Sequence, residues 1–66
     1  MLDIVKQAAK RAGGLAKLAG ALGIKHQSFY SWDRIPASRV LEIERASGIS
    51  RSVLRPDLYP VEEAAQ

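Results

Sequence analysis

Apolar residues recur three or four positions apart along most of this chain, and the alternation of a half-buried strand is absent. Leu2, Val5, Ala9 and Ala12 share one face of a helix predicted over 2–12, which Gly13-Gly14 ends. Leu15, Leu18, Ala19 and Leu22 make a second stripe, stopped by Gly23. Residues 28–32 carry a third short helix, with Phe29 and Trp32 three apart. Ile35-Pro36 interrupts the chain, because proline disfavours α geometry in the residue before it. Pro36 itself suits the first turn of a fourth helix, where a missing N–H costs nothing. Val40, Ile43 and Ser47 lie on one side of that helix with Leu41 beside them, and Gly48 reads as the residue just past its end. Ser50 can cap a last turn over 51–54, after which Pro56 and Pro60 stop further helix. The pattern is that of an all-α domain over residues 1–60, with residues 61–66 as a frayed acidic tail.

Sixty-six residues make one domain at most. A chain of this length buries only about 60% of the surface its unfolded form exposes, so the core is thin. There is no cysteine, which removes both a disulfide framework and a thiolate metal site. Stability must come from helix packing, and a second subunit is one way to add to it. The net charge is +3 with a pI near 9.7. The last ten residues hold Asp57, Glu62 and Glu63 and no Lys or Arg, a charge of −3 that leaves +6 on residues 1–56. A basic body with an acidic tail suits a polyanionic partner, although small proteins without one also carry surplus lysines. Leu2–Val5 is broken by Asp3 and followed by Lys6, too short for a secretory core. No apolar run approaches the roughly 20 residues of a membrane span, so a cytosolic protein without membrane association is expected.

The informative stretch is residues 15–32. Two short helices joined by a tight turn cross closely, and this dictates residue types. Ala19 falls where the helices approach, and Gly23 falls where the turn needs a left-handed backbone. Leu18, Leu22, Ile24, Phe29 and Trp32 form the wedge between the helices and their neighbours. Gly20 is out of place in mid-helix, where it costs about 1 kcal/mol relative to alanine. An ordinary helical hairpin can show the same Ala–Gly spacing by chance. Five apolar positions together with Ala19 and Gly23, in a basic domain, favour a DNA-binding helix-turn-helix.

The run Ala21-Leu22-Gly23-Ile24 with Tyr30-Ser31-Trp32, followed by Ile35-Pro36-Ala37-Ser38-Arg39-Val40 and Leu41-Glu42-Ile43-Glu44, resembles the all-helical Cro repressors of phages. It is equally similar to the YdaS-like regulators of bacterial prophages, and Leu54-Arg55-Pro56-Asp57-Leu58-Tyr59-Pro60 fits the same group. The resemblance covers roughly residues 13–60. It implies a five-helix, lambda-repressor-like domain: a sequence-specific transcriptional regulator, of repressor type, that binds a two-fold operator as a dimer. The second half of the chain would supply the dimer contact. The chain departs from the pattern at Leu15, where relatives commonly place a polar, phosphate-contacting residue. Some Cro relatives build the second half from strands, but residues 40–54 keep helical spacing here.

In a helix-turn-helix the start of the recognition helix reaches base edges in the major groove. Lys25, His26, Gln27, Tyr30 and Ser31 are the candidates, since Phe29 and Trp32 face inward. Gln27 can pair with adenine and Lys25 with guanine, while Lys25 fits a phosphate equally well. Tyr30 either packs on sugar and a thymine methyl or rests on its own domain. Ser28 either caps the helix or donates to a phosphate, and Lys17, Arg34 and Arg39 are the further phosphate candidates. Lys6, Lys10 and Arg11 read as a solvated face. Two copies would place their recognition helices about 34 Å apart on one DNA face, dimerising either free or only on DNA.

Nothing in the sequence supports catalysis, so the protein is not expected to be an enzyme. His26 is the sole histidine, which argues against a metal site. Ser28 near it has no evident orienting carboxylate or oxyanion hole. The glycines match no phosphate loop, and no cofactor or small-molecule ligand is expected. Two other readings stand beside the DNA regulator. One is an antitoxin-like or accessory regulator whose main partner is another protein; the other is a helical module that binds no nucleic acid.

Overall fold

In the computed structural model, which describes residues 1–61, the first helix, α1 (Asp3–Ala12), starts on the Leu2 carbonyl. That oxygen accepts from the N–H groups of Val5 and Lys6 at 3.1 Å each. α1 ends at Gly13, and Gly14 leads into α2 (Leu15–Leu22). α2 stops where the sequence places its stop. Gly23 takes φ 71°, and the N–H groups of Gly23 and Ile24 return to the carbonyls of Gly20 (3.2 Å) and Ala19 (3.0 Å). A side chain at that φ would strain against its own carbonyl, so glycine fits there.

The third segment differs from expectation. Residues 28–32 do not form a short α-helix; a 3₁₀ helix runs from His26 to Ser31, and Trp32 lies beyond it in extended backbone. Serines and aromatics are indifferent helix formers, and no side chain caps the segment's start. The Ser31 hydroxyl donates to the Ser28 carbonyl at 2.8 Å, which ties the turn up locally. Pro36 also sits differently, at the cap position with ψ 139° rather than inside the helix. A 3₁₀ turn (Ala37–Arg39) then runs directly into α3 (Val40–Ser47), and Gly48 at φ 77° closes it as expected. The final turn, α4 (Arg51–Leu54), is capped by Ser50, whose hydroxyl accepts from the Ser52 N–H at 3.2 Å. Five helical segments result, counting Ala37–Ser47 as one, and no strand occurs among the described residues. No helix among them is long and apolar enough to cross a membrane. Of the tail at 61–66, only Val61, which is exposed, lies inside the described residues.

A single apolar cluster holds these segments together. Val5 and Ala8 of α1, Leu18, Ala19 and Leu22 of α2, and Val40 and Ile43 of α3 are buried in it, with Phe29 from the 3₁₀ segment. Ile24 and Trp32, expected in the wedge, are only partly buried against its edge. Ile35 and Ile49 are buried too, so the connections contribute to the core as the helices do, and α4 adds Leu54. Buried Ser47 is satisfied: its hydroxyl donates to the Ile43 carbonyl (2.7 Å) and accepts from the Ile49 N–H (3.1 Å).

Gly20 has no packing role. It is exposed on α2, and a Cβ built there meets nothing within 4 Å. Gly20→Ala therefore stabilises the domain by about 1 kcal/mol, since the helix-propensity gain meets no steric cost. Urea unfolding of the two proteins checks it, and an unchanged or lower midpoint contradicts it.

Candidate functional site

The 3₁₀ geometry decides which of residues 25–32 share a face. With three residues per turn, side chains at i and i+3 nearly eclipse. Phe29 is buried within the 3₁₀ helix and Trp32 follows it in extended backbone, and their rings pack edge to face with centroids 5.0 Å apart at 86°. This fixes the inner face. Gln27 and Tyr30 share another column, both exposed, and Tyr30 leaves 60% of its surface free although its neighbour Phe29 leaves none. Lys25 and His26 are exposed at the start of the segment. Ser31 is exposed as well, its hydroxyl already donating to Ser28, so it meets a ligand best as an acceptor. All five candidate base-contacting residues thus stand exposed on one short segment, 25–31.

The phosphate candidates divide. Lys17 is exposed on α2 with its aliphatic stem against Gly13. Arg34 is exposed just beyond the 3₁₀ segment. Ser28 lies inside the helix rather than before it, so the capping alternative for it fails; it is half-buried. Arg39 is engaged within the protein. Its Nη1 donates to the Leu22 carbonyl (3.1 Å) and to Glu42 Oε1 (3.0 Å).

Charge is arranged unevenly in space as well as in sequence. The three ion pairs among the described residues are Arg39–Glu42, Arg51–Glu44 and Arg55–Asp57, all in the second half. None involves Lys6, Lys10, Arg11, Lys17, Lys25 or Arg34. Among the described residues, the first half therefore presents cations that form no ion pair, while three of the second half's arginines are paired with carboxylates close in sequence.

One cluster was read from the sequence only as part of a family pattern. Arg55, its side chain 11% exposed, grips Asp57 with two parallel bonds (Nε to Oδ1 2.9 Å, Nη2 to Oδ2 2.7 Å). It also donates from Nη1 to the Ile35 carbonyl at 2.6 Å. Pro56 between the two residues is the signal that could have pointed to this clamp, since it forces a turn and brings an arginine and an aspartate two apart together. Asp57 thus belongs to the folded body rather than to an acidic tail; Glu62 and Glu63 lie outside the described residues. Glu44 does similar work, accepting from the Arg51 N–H at 2.9 Å and the Arg51 guanidinium at 3.1–3.2 Å, while Arg51 also lies over the Tyr59 ring.

The Arg55 hydrogen bonds, with the field of Arg34 added, hold the Asp57 carboxyl below its ordinary 3.8, at about 2. The backbone hydrogen bond from Arg51 lowers that of Glu44 in the same direction. A carboxyl whose folded pKa is depressed stabilises the fold fully above its unfolded pKa and loses that contribution as pH falls through the folded value. The gap in Tm between wild type and Asp57→Asn is therefore widest above pH 4 and closes toward pH 2. A gap constant across that range would disprove the clamp's electrostatic role.

A family model described as bacterial toxin YdaS matches residues 5–63, nearly the whole chain. No curated protein and no solved structure matches.

Proposed function

The chain belongs to the bacterial toxin YdaS family, and from that premise we propose that it is a sequence-specific regulator that binds double-stranded DNA as a homodimer, of Cro-like repressor type. The observation that carries this reading is the exposed segment over 25–31. Its outward side chains are hydrogen-bonding or aromatic, Phe29 anchors it in the core, and the surrounding half of the domain carries cations that form no ion pair among the described residues. Gln27 pairs with adenine, Tyr30 packs on sugar and a thymine methyl, and Lys25, His26 and Ser31 complete the base contacts. Lys17, Ser28 and Arg34 bind phosphate and set register. The protein acts by binding and needs no cofactor. Exposed Leu41, Val53 and Leu58 offer the apolar surface for a second subunit.

Selection of bound duplexes from a random pool, run beside a Gln27→Ala, Tyr30→Ala double variant, tests this. Enrichment of an inverted repeat that the variant loses is the expected result. Equal, weak binding without enrichment would end the DNA reading. A second reading is an antitoxin-like or accessory regulator whose main partner is another protein. It is favoured by exposed Leu58 and Val61, which with Arg51 and Tyr59 line a groove of about 380 Å³.

A further inference from the structure

Two arginines from the second half of the chain reach back to the two carbonyls that bracket the candidate DNA-reading segment. Arg39, 17 residues downstream of Leu22, donates to its carbonyl at 3.1 Å, immediately before Gly23 and the turn. Arg55, 20 residues downstream of Ile35, donates to its carbonyl at 2.6 Å, immediately after Arg34. Each guanidinium is oriented by a carboxylate close by in sequence, Arg39 by Glu42 at 3.0 Å and Arg55 by Asp57 at 2.7 and 2.9 Å. The two ends of residues 23–34 are thus held by the same device.

The segment needs such anchors. The Leu22 carbonyl closes α2 and has no partner further along that helix. The 3₁₀ helix has no side-chain cap, and the Trp32 N–H reaches the Phe29 carbonyl only at 3.4 Å. Phe29 fixes the middle of the segment through burial, but apolar burial is non-directional and leaves rotation about that pivot open. Charge-assisted, directional bonds at both ends remove that freedom.

We propose that Arg39 and Arg55 are positioning residues that set the orientation of residues 23–34, and with it the aim of Gln27 and Tyr30 at base edges, rather than ligands of phosphate. The role rests on the DNA reading above, while the tethering itself is a property of the free protein. It follows that whatever binds the second half of the chain acts on the reading segment through these two bonds.

The test compares wild type with Arg39→Gln and Arg55→Gln, and with Glu42→Gln, which keeps the Arg39 guanidinium but frees it, in case the arginine variants do not fold. In the free protein, amide hydrogen exchange at Ile24 and Trp32 should quicken by about tenfold more than at Ala9 and Ile43, which lie in the buried core. On DNA, the probes are a duplex carrying the selected site and a scrambled duplex of equal length and composition. The preference for the selected site should drop by about tenfold, with the salt dependence of binding unchanged. Exchange that quickens uniformly would reduce both arginines to general stability and overturn the proposal. So would an intact preference with a salt slope shallower by about 0.9 per lost contact, the mark of a phosphate ligand. If wild type selects no site, the DNA reading fails on its own, and the exchange pattern alone upholds or overturns the tether.

Discussion

Phe29→Ala leaves the domain largely unfolded without any denaturant. Phe29 is the largest fully buried side chain, and it joins the candidate reading segment to the core while packing edge to face on Trp32. Truncating a buried phenylalanine costs about 3–5 kcal/mol, the lost transfer energy plus the cavity left behind. A single-core domain of this length has about 3–5 kcal/mol in total, so the change consumes nearly all of it. The adjacent aromatic behaves oppositely. Tyr30 is mostly in water, and Tyr30→Ala should shift stability by no more than about 0.5 kcal/mol. Far-UV circular dichroism with urea titration reads both. A Phe29→Ala protein that melts within a few degrees of wild type, or a Tyr30→Ala protein that unfolds, would show the inward and outward faces to be wrongly assigned. The pair also separates stability from binding, since Tyr30→Ala is expected to damage DNA recognition in a protein that remains folded.

The helices α1, α2 and α3 were legible because each advertises itself twice, by an apolar stripe at helical spacing and by a glycine that ends it. Gly23 and Gly48 stop their helices at the positions the sequence marks, in left-handed backbone. The 3₁₀ segment was mistaken for α because five residues with two aromatics three apart fit either period, and the choice is made by the missing cap and by Ser31 bonding to Ser28. Its outward residues were nevertheless identified correctly as exposed, since the inward pair Phe29 and Trp32 fixes the rest in either helix type. What the pattern did not reveal was long-range and polar. That Arg39 and Arg55 would turn to carbonyls 17 and 20 residues away depends on how the segments cross, which no local spacing encodes. Arg39 looked like any other cation beside a helix end. Ile35 was read only as the residue before a proline, yet it is fully buried and its carbonyl receives Arg55.

The distribution of paired and unpaired charge leads to the other large effect, a steep dependence of DNA binding on salt. Each phosphate neutralised by a protein cation releases condensed counterions, so log K falls with log salt at a slope of about −0.9 per contact. Among the described residues, Lys17 and Arg34 are exposed and in no ion pair, whereas Arg51 and Arg55 are held by Glu44 and Asp57. Two such contacts from each of two subunits give a slope of about −3.6, a loss of about 150-fold in affinity between 50 and 200 mM salt. Lys17→Ala and Arg34→Ala should each flatten the slope by about 2, because each is present twice in the dimer, while sequence preference survives. Arg45→Ala removes an exposed cation of α3 that is in no ion pair among the described residues, and should leave the slope alone. Fluorescence anisotropy of a labelled duplex at a series of salt concentrations gives all four slopes. If Arg45→Ala flattens the line as much as Lys17→Ala does, the attraction is diffuse and the first half of the domain is no special face. If wild type itself gives a slope near zero, phosphate is not the ligand, and the groove lined by exposed Leu58 and Val61 becomes the surface through which this protein works.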